Sequence, residues 1–193
     1  MRIYSLHSAN GFAYLHAQDE IVNQCVAEPP RSLANGWSTL TFELVGTDEL
    51  LSYRPKSDFP ALTLGTAVVS RHAVEELSPV LQSCGELLPI RLSNDRDAFY
   101  LFNVTYTLNA VDLTRSKFWR FPDGNIGHCE QLVFDPSLVP NDALFFKTNR
   151  LPEVYDIFAT QTAVDAVKGA RLTGYEFRLA WSNEPANRAT RPT

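Results

Sequence analysis

Val68-Val69-Ser70-Arg71-His72-Ala73-Val74-Glu75-Glu76-Leu77 decides how this chain is read. Val68 and Val69, with Ala67, make a short apolar strand. Ser70 is small and hydroxyl-bearing, and it stands where a helix N-cap belongs. Val74, Leu77 and Leu81 then recur at helical spacing, with Ala73 and Val80 beside them. Pro79 interrupts the pattern, and Ser78-Pro79 could instead cap a new turn. Gly85 ends the element. Later in the chain, Ile157-Phe158-Ala159-Thr160-Gln161-Thr162-Ala163-Val164-Asp165-Ala166 has the same order. It too is a short strand, a hydroxyl cap, and a helix with Ala-Val at the same offset. Each unit ends near a glycine and leads into a strand. The echo fits a degenerate duplication, and it equally fits the general likeness of strand-cap-helix units.

Working outward, most of the remaining pattern is β. Leu40, Phe42 and Leu44 alternate with Thr39, Thr41 and Glu43, the period of a half-buried strand. Residues 18–27 could form a short helix. Residues 46–61, with Gly46, Pro55 and Pro60, read as a connector. Leu87 to Leu92 and Tyr100 to Leu108 read as a hairpin around Asn94-Asp95-Arg96-Asp97. Gln131 to Phe134 and Leu144 to Lys147 are further strands. Tyr175, Phe177, Leu179 and Trp181 alternate with Glu176, Arg178 and Ala180 in a final strand. The expected fold is α+β: a mixed, largely antiparallel sheet with a few short helices. Its divisions are a β-rich N-terminal extension (1–54), a main domain (55–182) and a disordered tail (183–193).

Composition narrows the function. A chain of 193 residues buries roughly 70% of its unfolded surface and needs neither metal nor disulfide for a core. The net charge of −5 argues against a nucleic-acid binder, which carries a basic excess. Cys25, Cys84 and Cys129 are odd in number and contain no CxxC pair, which points to a reducing compartment. Met1 to Ser8 lacks the apolar run of a signal peptide. No stretch approaches the roughly 18 apolar residues of a membrane helix. The expectation is a cytoplasmic protein with no membrane partner.

Residues 55–182 resemble a bacterial immunity-protein family, the eleventh among polymorphic-toxin immunity proteins. The resemblance lies in an ordered series. Val68-Val69-Ser70 opens it, followed by Leu88-Pro89-Ile90 and Tyr100-Leu101-Phe102-Asn103-Val104. Ala110-Val111-Asp112-Leu113 and Ser116 come next. Tyr155-Asp156-Ile157-Phe158 and Leu172-Thr173-Gly174-Tyr175-Glu176-Phe177 close it. The resemblance implies an α+β protein encoded beside a secreted toxin that it binds in the producing cell. It implies no enzymatic activity and no cofactor. Without an export signal, such a protein meets a toxin acting in the cytosol. Nuclease toxins tend to be basic, and an acidic partner would be steered toward one.

Two stretches offer themselves for partner binding. Asp95 and Asp97 flank Arg96 and could be a DxD metal pair, an acidic knob, or simply a hairpin turn held by its own side chains. Arg115, Lys117, Phe118, Trp119, Arg120 and Phe121 interleave cations with aromatics. That pattern suits a protein-interface anchor, a base-stacking surface or a half-buried strand. No catalytic set stands out. His128 and Cys129 are neighbours, and neighbours on a strand point to opposite faces. Asp112 and Ser116 have no histidine nearby and suit a turn or cap. No metal-ligand spacing appears. The reading is a toxin-neutralising protein with no catalytic residues, metal or cofactor. A scaffold module and an unrecognised enzyme are the alternatives.

Overall fold

The structure, a computed structural model, describes residues 1–17, 30–46, 53–62, 66–124, 126–149 and 156–184. The helix expected in residues 18–27 and the tail from residue 185 lie outside the described residues. In chain order the strands and helices begin with β1 (Arg2–Ser8), β2 (Tyr14–His16), β3 (Leu40–Val45), β4 (Ala67–Ser70) and α1 (Arg71–Gln82). Next come β5 (Gly85–Leu92), β6 (Phe99–Val104), β7 (Thr107–Leu108), β8 (Lys117–Arg120) and β9 (Ile126–Gln131). β10 (Phe145–Thr148), β11 (Ile157–Thr160), α2 (Gln161–Gly169) and β12 (Tyr175–Ser182) complete the series. The architecture is α+β. One five-stranded sheet runs β12-β1-β11-β10-β7, and a second runs β2-β3-β5-β6-β4. Each sheet mixes antiparallel pairs with one parallel pair. β8 and β9 form a separate two-stranded ribbon.

The two units seen in the sequence occupy equivalent places. β4 and β5 both run antiparallel to β6, which lies between them. β11 and β12 both run antiparallel to β1, which lies between them. Each unit is therefore a strand, a helix and a parallel strand, split by one antiparallel strand. The registers agree residue by residue. Ser70 lies opposite Phe99 and Ala67 opposite Phe102, while Thr160 lies opposite Ile3 and Ile157 opposite Leu6. Tyr100 and Tyr4 take the same place. The middle strand follows its unit in one half and comes from the far end of the chain in the other. The likeness of the two units in sequence thus extends to their pairing. Residues 1–54, expected as an extension, are woven into both sheets in their described parts, through β1 in the first and β2 and β3 in the second.

The helices sit between the sheets. Ala73, Leu77 and Leu81 of α1 and Ala163, Val164 and Val167 of α2 are buried in one cluster with Val69, Phe102, Val104, Phe145, Ile157 and Ala159. The small alanines let each helix lie close to its strands. Pro79 does not end α1, which runs through it. Pro79 is exposed, so the carbonyl four residues earlier faces water and needs no protein donor. The caps differ. The Ser70 hydroxyl accepts from Ala73 N at 3.0 Å. The Thr160 hydroxyl instead donates to the Ala143 carbonyl at 2.7 Å.

The outer faces of both sheets are also covered. Leu15, Phe42, Val68, Leu88, Ile90 and Leu101 form one outer cluster. Ile3, Phe134, Phe146 and Phe158 form the other, where Phe134 packs edge-on against Phe146 and Phe158. β6 is buried on both faces, so its alternation does not separate core from solvent. The long strand expected over 100–108 is broken. Thr105 N and Tyr106 N both donate to the Cys84 carbonyl. β7 then leaves for the first sheet, where it pairs in parallel with β10.

Candidate partner-binding surface

The basic-aromatic stretch lies on the ribbon. Asp112 builds its base: its carboxylate accepts from Thr114 N at 2.9 Å, Thr114 Oγ1 at 2.7 Å and Arg115 Nε at 2.7 Å. This Asx turn holds Asp112 well below the usual carboxylate range, chiefly through the Thr114 hydroxyl and the Arg115 guanidinium. Ser116 ties the base to the segment that follows β9, since its hydroxyl accepts from Val133 N at 2.9 Å. Phe121-Pro122-Asp123-Gly124 closes the tip, with Gly124 N donating to the Phe121 carbonyl at 2.9 Å. Gly124 has φ +86°, which favours glycine. Register shifts at two points along β8–β9 add twist.

This ribbon displays aromatics rather than burying them. Trp119 is 42% exposed and Phe121 49%. Their rings meet edge-on at 4.6 Å between centroids. Lys117 and Arg120 are exposed beside them, and Phe118 is half-buried. Leu113 and Leu138 are also exposed. They belong to the flanking segments that Asp135 N, donating to the Ala110 carbonyl, and Asp112 N, donating to the Val133 carbonyl, hold side by side. Large apolar groups on a polar, hydrogen-bonded frame are the make-up of an interface anchor. Sequence pattern located the stretch, but it did not show the hairpin or add Leu113 and Leu138.

The acidic turn is not brought to this ribbon; Asp95 and Asp97 lie between β5 and β6 of the second sheet. Lys56 Nζ reaches both carboxylates, Asp97 at 2.8 Å and Asp95 more closely. Asp95 also accepts from Asp97 N at 2.9 Å. The Lys56 ammonium lowers the pKa of Asp95. The turn is thus held as a tripod in which one lysine offsets part of the charge of two carboxylates. Among the described residues no group of three or more His, Cys, Asp or Glu is placed to hold a metal ion.

Among the described residues, two clefts are lined by acidic and basic side chains together. One, of about 520 Å³, lies at the start of α1 and is lined by Lys56, Asp58, His72, Arg96 and Asp97 among others. Asp58 there accepts from Ser70 Oγ at 2.7 Å, Thr173 N and Oγ1 at 3.0 Å, and His72 Nδ1 at 3.1 Å. Burial raises its pKa, and these donors more than reverse that. The other cleft, about 380 Å³, is lined by His7, Asp156 and Arg178 against Phe59, Leu62 and Val68. Ser5 Oγ lies 2.7 Å from His7 Nε2. Only the fold brings His7 near Asp156, because β1 pairs with β11. Ser5 itself is buried, an unfavourable place for a nucleophile. Cys129 donates to the Lys117 carbonyl, and burial raises its thiol pKa, the reverse of an activated cysteine.

An α+β body that carries a hydrogen-bonded ribbon of exposed aromatics is the class of protein that the fold defines. The family comparison gives that class its identity. The model of the immunity protein family Imm11 matches residues 26–181, and the chain belongs to that family. A comparison with curated proteins gives no match.

Proposed function

We propose that this protein neutralises a cognate secreted bacterial toxin by tight stoichiometric binding, without catalysis, in the cytoplasm of the producing cell. Membership of the immunity protein family carries the reading. The ribbon supplies a surface for it. Trp119 and Phe121 give large apolar area at low entropic cost, and Arg115, Lys117, Phe118 and Arg120 frame them. Asp95 and Asp97 are a secondary contact, weakened by Lys56. The net charge of −5 suits a basic partner, and a nuclease is the toxin class that chemistry favours. No helix among the described residues is long and apolar enough to cross a membrane.

The test is rescue by co-expression. The C-terminal toxin domain encoded by a neighbouring gene is expressed with and without this chain. Killing relieved only by this chain, with both proteins co-eluting, is the expected result. Unrelieved killing with no complex contradicts the reading and favours a scaffold role. Rescue from a toxin that degrades no nucleic acid removes the nuclease part alone.

A further inference from the structure

The two strand-helix-strand units differ at one edge. In the first unit the outer edge of β5 is occupied: β3 pairs with Ile90, Arg91 and Leu92. The Trp37 indole donates to the Pro89 carbonyl at 3.0 Å, and Leu33 N donates to Glu86 at 2.9 Å. In the second unit the equivalent strand is β12, and among the described residues no strand pairs with its outer edge. It is eight residues long. The other edges of the two five-stranded sheets are short strands: β7, β2 and β4. A long unpaired edge is a template for strand addition.

We infer that the outer edge of β12 is a self-association site, where a second copy of this chain adds its own β12 antiparallel about a twofold axis at Phe177. The hydrogen-bond phase sets which residues can pair. Ala9 N donates to the Gly174 carbonyl, so Gly174 faces β1 with its backbone groups. By alternation Glu176 and Arg178 do the same, while Tyr175, Phe177 and Leu179 turn theirs outward. The ladder keeps step from Ser8–Tyr175 to Tyr4–Leu179 and shifts only beyond it. An antiparallel self-pair must therefore match these outward residues with one another.

Charge then selects among the registers. Pairing Tyr175 with Phe177 of the second copy sets Glu176 against Glu176. Pairing Phe177 with Leu179 sets Arg178 against Arg178. Pairing Phe177 with Phe177 sets Glu176 against Arg178 twice, in the closely spaced, non-hydrogen-bonded positions where cross-strand charges interact best. It also sets Leu179, 59% exposed, against Tyr175 of the second copy. Within one chain Arg178 already holds Glu176 at 2.8 Å, so both charges lie at this edge. A twofold axis makes the contact closed, and a dimer results rather than a fibre.

The test is sedimentation velocity on the full chain alone, over a concentration series. A concentration-dependent monomer–dimer equilibrium is expected. Glu176→Arg and Arg178→Glu each oppose like charges and are expected to abolish the dimer. The double exchange, Glu176→Arg with Arg178→Glu, is expected to restore it. Thermal melts report whether each variant is folded, and the double exchange guards against loss by misfolding. A chain that stays monomeric throughout, or a dimer indifferent to single reversal, overturns the inference. No toxin is present, so the outcome is independent of the proposed neutralising role.

Discussion

The body and the ribbon use the same residue types in opposite ways. Phe134, Phe146 and Phe158 are wholly buried and pack ring against ring. Trp119 and Phe121 also pack ring against ring, yet both stand in solvent. In the body the aromatic clusters drive folding, since each buried Phe contributes roughly 1.5–3 kcal/mol. On the ribbon the frame is held by polar groups instead, with Asp112 and Ser116 at the base and the Phe121–Gly124 turn at the tip. The ribbon's aromatics stand outside the buried clusters, so their replacement is expected to leave the fold intact.

Substitutions can break that contrast, beginning with the largest effect. Phe158→Ala is expected to cost about 3–5 kcal/mol in denaturant unfolding, because its cavity opens in a tightly packed cluster. Gly85→Ala is expected to cost roughly 1–3 kcal/mol. A Cβ at Gly85 would lie 2.1 Å from the Asn103 carbonyl oxygen, and both residues lie in paired strands. Asp58→Asn is expected to flatten the acid limb of the stability profile. Asp58 has a lowered pKa in the folded protein. Its stabilisation is full above the unfolded value of about 3.9 and is lost as pH falls through the folded value. Trp119→Ala should leave unfolding within about 0.5 kcal/mol of the parent. A large loss there would mean that the ribbon aromatics serve the fold.

What was legible in the sequence follows the same division. The strand-cap-helix units could be read because their signals are local: Ser70 and Thr160 at the caps, Ala73-Val74 and Ala163-Val164 on the buried faces. The final strand was legible by its alternation. The place of β1 was not, because its partners lie at the other end of the chain. The break at Thr105 and Tyr106 was hidden because residues on both sides of it are buried, so the alternation continues while the strand changes sheets. Pro79 misled in a simple way, since a proline on a solvent face need not end a helix. Of the site, the run from Arg115 to Phe121 was visible as composition, and its exposure was not. The ion pairing of Asp95 and Asp97 was not legible, because Lys56 is far off in sequence and reaches them only in the fold.

In the proposed complex the ribbon grips the toxin. Calorimetric titration of the cognate toxin domain into the parent chain and into Trp119→Ala tests it most directly. Hot-spot aromatics contribute about 2 kcal/mol or more, so affinity is expected to fall roughly thirtyfold or further with the fold intact. An unchanged dissociation constant in a folded Trp119→Ala protein would contradict the claim and place the toxin on another face.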